Sequence, residues 1–156
     1  MFPSIAAMNG GAAMFDIVLV GADDSRTARR AVEAAVNLAE ISKGQLHIVS
    51  AFERHPHLDT SLPDEFKNLR DEGGIDALLQ SLSFIATERG IEPVLHAGRG
   101  DPADVIIKKA EEVHADVVVV GNRGMKGVRR VLGSVPNTVA HHAHCSIMVV
   151  DTTEEP

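Results

Sequence analysis

The chain has no tryptophan, no tyrosine and a single cysteine, Cys145. One cysteine excludes an internal disulfide framework and fits a reducing compartment. Without the two large amphipathic aromatics, the core must be built from Val, Ile, Leu, Ala and five Phe. No apolar run reaches the roughly 18 residues of a spanning helix, so no membrane partner is expected. Basic charge is also scarce: 15 Lys and Arg stand against 22 Asp and Glu, for a formal net charge of -7. Such a balance repels nucleic-acid phosphates. The first 14 residues contain no Lys or Arg, so they lack the basic start of a secretory signal. Residues 1–14 read as a loose arm, 15–151 as one domain and 152–156 as a short tail. The expected location is cytoplasmic.

What is present is a regular alternation of apolar runs and amphipathic stretches. Asp16 to Gly21 (DIVLVG) reads as a buried strand. Ser25 to Lys43 reads as a helix with Ala28, Val32, Ala35 and Ala39 on one face and Gly44 as its stop. Gln45 to Phe52 is a second strand, and Arg54 to Pro63 a polar loop. Asp64 to Arg89 has a helical pattern broken at Gly73–Gly74, with a stripe of Ile75, Leu78, Leu79, Leu82 and Ile85. Glu92 to Ala97 is a weaker strand, and Pro93 marks it as an edge. Asp101 and Pro102 open a helix with Ile106, Ala110 and Val113 inward. Asp116 to Gly121 (DVVVVG) is a further buried strand. After a glycine-rich loop, Ser134 to His144 forms a short helix and Ser146 to Asp151 the last strand.

This alternation predicts an α/β fold: one doubly wound, five-stranded parallel sheet, Rossmann-like, with helices on both faces. In such sheets ligands bind at the carboxyl ends of strands, where the winding reverses. Two strand exits carry unusual residues. One is Gly21-Ala22-Asp23-Asp24-Ser25; the other runs from Gly121 through Gly124 and Gly127 to Gly133-Ser134. If both serve one site, the first and fourth strands are neighbours, which selects the order 3-2-1-4-5.

The second exit has the chemistry of a phosphate cradle. Its glycines let bare N–H groups approach an anion, and Ser134 stands at the start of a helix. Arg123, Lys126, Arg129 and Arg130 form a cation cluster sized for one polyphosphate. A structural strand-to-helix turn is the competing reading. Asp23 reads either as a polar contact to a base or sugar or as an acid complementing the next helix dipole. No Gly-Lys-Ser or Gly-Lys-Thr is present, and Gly98-Arg99-Gly100 is followed by Ala103, so neither a Walker loop nor a dinucleotide fingerprint exists. A receiver domain would need a phospho-acceptor Asp after the third strand, where the chain reads His96-Ala97-Gly98.

Gly121-Asn122-Arg123-Gly124, with Val131-Leu132-Gly133-Ser134-Val135-Pro136 and Val139 to Ala143, resembles the ATP-binding subgroup of universal stress proteins. Val18 to Asp23 and Asp101-Pro102-Ala103 extend the resemblance. The family signature is Gly, two residues, Gly, nine residues, Gly-Ser or Gly-Thr; here the second spacing is one residue shorter. Asp24 replaces the usual Gly or Phe. The resemblance implies a nucleotide-dependent stress-response or signalling module that holds ATP with Mg²⁺. A slow ATPase or a nucleotidyl-transfer enzyme of the same fold is the alternative. Ala22 and Asp23 would meet the adenine side, and Ala51 would line the base pocket. Val120, Gly121, Arg123 and Gly124 would meet ribose and phosphates, and Gly133, Ser134 and Val135 would bind phosphate oxygens. No catalytic residue is expected.

His141, His142, His144 and Cys145 suit the negative end of a helix better than a metal. Cys145 precedes an apolar strand and is expected to be buried and inert. In the order 3-2-1-4-5 the last strand is an edge with an uncharged run, Ile147 to Val150. An edge of that kind invites pairing with a second copy, so a homodimer through Ser146 to Asp151 is expected, as the resemblance also implies.

Overall fold

A computed structural model describes residues 14–52, 72–122 and 134–152. It contains five strands, β1 (Ile17–Gly21), β2 (Gln45–Phe52), β3 (Val94–Arg99), β4 (Val117–Gly121) and β5 (Ser146–Val150). The described helices are α1 (Ala28–Ser42), α2 (Glu72–Thr87), α3 (Pro102–Val113) and α4 (Ser134–His142). All strands pair in parallel, in the order β3-β2-β1-β4-β5. Residues 1–13 of the expected arm (1–14), the loop at 54–63, the first part of the expected helix (64–71), most of the glycine loop and residues 153–156 lie outside the described residues.

Alternation along the strands divides the core into two layers. Val18, Val20, Leu46, Ile48, Val117 and Val119 point to one face and pack with α1 and α2. Leu19, Val49, Val118 and Val120 point to the other and pack with α3 and Val139 of α4. Strands buried on both faces have no room for a polar alternation, which is why β1 and β4 read as continuous valine-rich runs. Val117 to Val120 are all at most 2% exposed. Each such side chain contributes about 1.5–3 kcal/mol by leaving water.

The local differences from the sequence reading have identifiable causes. α1 begins at Ala28, three residues after the expected start, because the chain first makes a tight turn. Ser25 N–H donates to Asp23 Oδ1 at 2.9 Å, and Ala28 N–H reaches both the carbonyl and the hydroxyl of Ser25. At the other end Lys43, not Gly44, takes the left-handed conformation, with φ 53°. Gly44 is required one position later, where a Cβ would run into the carbonyl oxygens of Phe15 and Asp16. α2 begins at Glu72, at the expected Gly73–Gly74 interruption, and both glycines lie in its first turn. Asp101 caps α3 as expected, its Oδ1 accepting from Ala103 N–H at 3.0 Å and Asp104 N–H at 3.3 Å. Cys145 is half-buried rather than buried, because β5 lies at the sheet edge.

Candidate functional site

β1 and β4 are neighbours, and the chain leaves them towards opposite faces. α1 follows β1 onto one layer, and α4 returns on the other. The two exits therefore part at the carboxyl ends of the central strands, and a cleft of about 510 Å³ opens between them. That size lies within the roughly 300–1,000 Å³ of small-molecule sites.

Glycine makes the strand ends low enough to form the floor. A Cβ on Gly21 would collide with the Ile106 side chain of α3. A Cβ on Gly121 would come within 2.9 Å of Thr152 Cγ2. Both glycines line the cleft, as do Ile106 and Thr152. Ala28 and Ala31 from α1 form an apolar wall.

One side of the cleft is bordered by backbone. Gln45 N–H bonds Asp16 C=O, and Val49 C=O accepts from Ala22 N–H at 3.0 Å. The odd-numbered residues of β2 thus aim their peptide groups at β1. β1 ends at Gly21, so Ala51, next in that series, presents its N–H and C=O where no strand continues. Asp23 lies exposed at the mouth, with one carboxylate oxygen held by Ser25 N–H. Ser25 Oγ and Thr27 Oγ1 are 3.0 Å apart beside it. Opposite them, Ser134 is the first residue of α4 and lines the cleft with Val135 and Pro136. The first N–H groups of a helix have no partner within it, and the helix dipole makes that end attractive to anions.

Of the residues expected at the site, Ala22, Asp23, Ala51, Val120, Gly121, Ser134 and Val135 all border this one cleft. Arg123, Gly124 and Gly133 lie outside the described residues. Sequence reasoning placed Ser25 in the first strand exit and Pro136 in the family motif without giving either a site role, and it did not find Thr27, Ile106 or Thr152. Ser25 and Thr27 could have been inferred from their place just after Asp23. Thr152 carries no sequence signal, since it reads as the start of a tail.

Other reactive groups stand apart from the cleft. Burial and the nearby Asp116 carboxylate push the Cys145 thiol above its ordinary value, so it is a poor nucleophile. His141 and His142 are exposed in the last turn of α4. Among the described residues, no cluster of three or more His, Cys, Asp or Glu could hold a metal ion. No described helix is long and apolar enough to cross a membrane.

The family model of the universal stress protein family matches residues 14–151. The chain belongs to that family. A putative universal stress protein of Staphylococcus aureus (strain USA300) is 30% identical over 142 residues, covering 89% of this chain and 86% of the relative. Among solved structures, a universal stress protein in complex with cAMP is 30% identical, with a TM-score of 0.72, covering 90% of this chain and 99% of that one. The universal stress protein UspA from Lactobacillus plantarum is 26% identical with a TM-score of 0.67, covering 86% and 96%. The doubly wound sheet of order 3-2-1-4-5 is thus the family's fold, and the parted exits of β1 and β4 are its topological switch point.

Proposed function

We propose that this universal stress protein is an adenine-nucleotide-binding module that holds ATP in the cleft between the exits of β1 and β4. The observation that carries the reading is the pairing of two features across one cleft. The backbone edge of Ala51, beyond the end of the β1 pairing, can meet the hydrogen-bonding edge of a base, and the N-terminus of α4 at Ser134 can meet phosphate. Ala22 and Asp23 then lie on the adenine side, and Val120 and Gly121 under the ribose. Ser134 and Val135 bind phosphate oxygens, completed by Arg123, Gly124 and Gly133. A relative of 30% identity crystallised with cAMP, which supports an adenine nucleotide as the ligand class. The cation cluster from Arg123 to Arg130 favours the triphosphate over a cyclic monophosphate, because it matches a larger negative charge. Mg²⁺ would enter with the phosphates, as it commonly does where proteins supply few ligands.

The function that follows is a nucleotide-responsive stress or signalling module in the cytoplasm, rather than a rapid enzyme. Among the described residues, the polar side chains lining the cleft are Asp23, Ser25, Thr27, Ser134 and Thr152. Asp23 is tied into its own turn, and the rest are neutral hydroxyls, so nothing there is set up as a strong general base. Pairing of two copies through β5 completes the reading. β5 is the sheet edge, and Met148 and Val149 are 36% and 38% exposed on it.

The test is to denature freshly purified protein and identify what it releases, then to measure ATP, AMP and cAMP binding by calorimetry. The chain lacks Trp and Tyr, so a carried nucleotide would dominate its ultraviolet spectrum. Binding of ATP with turnover well below about 1 s⁻¹ supports the reading. Faster steady turnover would move the protein to the enzyme class, and failure to bind any of the three would refute the site.

A further inference from the structure

Just past the ends of β4 and β5, two polar side chains are buried together. Asn122 is 6% exposed and Thr152 is 2% exposed. Asn122 Oδ1 accepts two bonds from Thr152, one from its backbone N–H at 2.8 Å and one from its hydroxyl at 3.0 Å. Asn122 Nδ2 donates to Asp151 Oδ1 at 3.1 Å, and Asn122 N–H donates to Val150 C=O at 3.0 Å. One side chain thus holds the first two residues after β5 against the first residue after β4. A buried polar network of this kind is worth keeping only if its geometry is needed, since any broken member leaves an unsatisfied group.

What the network holds in place is a wall of the cleft. Thr152 borders it, and the Thr152 methyl sits directly against Gly121, where a Cβ would approach within 2.9 Å. Gly121 is the strand end on which the ligand would rest. If Thr152 moved away, the strand end would lose its support and the cleft would open towards solvent.

We propose that Asn122 is a positioning residue for the nucleotide: it locks Thr152 in place as a wall of the pocket, so the exit of β5 is part of the binding site. This inference rests on the reading of the cleft as a nucleotide site. Asn122 acts through Thr152 and Gly121, without contact to the ligand. It also makes the pocket depend on β5, the strand expected to pair between protomers.

The experiment compares Asn122→Ala, Asn122→Asp and Thr152→Val with wild type, measuring ATP, AMP and cAMP affinity by calorimetry and thermal stability without ligand. Asn122→Ala removes all the side-chain bonds, and its affinity should fall about tenfold, the equivalent of one lost buried hydrogen-bond set. Asn122→Asp keeps the acceptor for Thr152 but sets a carboxylate against Asp151. Its affinity relative to wild type should be low at pH 8 and recover towards pH 5, where a protonated Asp can again donate to Asp151. A purely structural role would not produce that recovery in affinity. Unchanged affinity in Asn122→Ala with a lowered melting temperature would overturn the inference and leave the nucleotide reading intact. Should Asn122→Ala fail to fold, Thr152→Val decides: weaker binding supports the inference, and wild-type binding overturns it. If wild type binds none of the three nucleotides, the nucleotide reading falls and this inference falls with it.

Discussion

His47 Nδ1 lies 2.8 Å from His96 Nε2, and the two rings are within 2° of parallel with centroids 5.1 Å apart. That separation is one N···N bond plus two ring radii, so the rings lie end to end in one plane rather than face to face. His47 Nε2 is 3.1 Å from Gln45 Oε1. With Gln45 Oε1 accepting, His47 carries its proton on Nε2, and His96 Nε2–H donates to His47 Nδ1. This chain ties the edge strand β3 to β2 beneath α3.

Both rings are held neutral by the fold, which predicts acid sensitivity. Burial lowers the His47 value, with Lys109 of α3 adding to it. Burial, His47 and Lys109 lower that of His96, against a smaller pull upwards from Glu112. The unfolded value is near 6.5 and the folded values lie below it. The unfolded state therefore binds more protons as pH falls, and the stabilisation present above pH 6.5 is lost below it. Urea midpoints should drop from pH 7.5 to pH 5.5 in wild type and drop less in a His47→Gln, His96→Gln double variant. At pH 8, His96→Ala alone should cost about 1–3 kcal/mol, since it strands a buried ring nitrogen. Equal pH slopes in wild type and the double variant would contradict this account.

Gly121→Val should damage binding and folding together. The new Cβ would meet Thr152 Cγ2 at 2.9 Å, and Thr152 is itself fixed by Asn122. Overpacking of this type costs about 1–3 kcal/mol. The melting temperature should fall and nucleotide binding should be lost, as read by calorimetry on the same sample. A variant that binds ATP as wild type does would mean the wall can yield.

Val149→Lys should separate the protomers while sparing the fold. Val149 is already 38% exposed on the edge strand, so a lysine there is tolerated in the monomer. In a strand-paired dimer it would place charge in the apolar interface. Light scattering at micromolar concentration should give a dimer mass for wild type and a monomer mass for the variant. A monomeric wild type would remove the dimer from the proposal.

Cys145 should react slowly with iodoacetamide at pH 7. Its thiol is half-buried and held above its ordinary value by burial and by Asp116, so the thiolate is scarce. Asp116 is itself anchored, since Ile17 N–H donates to its Oδ2 at 2.8 Å. Asp116→Asn should speed alkylation, because it removes the negative charge. A labelling rate equal to that of free cysteine in wild type would exclude the burial argument.

Much of this protein was determined by sequence alone. The strand order followed from two loop signals that had to share one site, and β2 matched its expected bounds of Gln45 to Phe52. Continuous apolar runs identified β1 and β4 because burial on both faces leaves no other pattern. Asp101 and Pro102 marked the start of α3 because capping chemistry is local. Ala22, Asp23, Gly121 and Ser134, which border the cleft, were legible because they sit at strand exits or at a helix start, whereas Ala51, Val120 and Val135 came only from the family resemblance. Tertiary structure alone decided the rest. The pairing of His47 with His96 depends on the β2–β3 register, which places residues 49 positions apart side by side. The left-handed turn fell on Lys43 because Gly44 had to pass close to the β1 entrance. Thr152 became a pocket wall because Asn122, 30 positions earlier, reaches across from the neighbouring strand end. Contacts of that range leave no periodic or local trace in the chain, because their energy depends on which strands lie side by side and not on which residues follow one another.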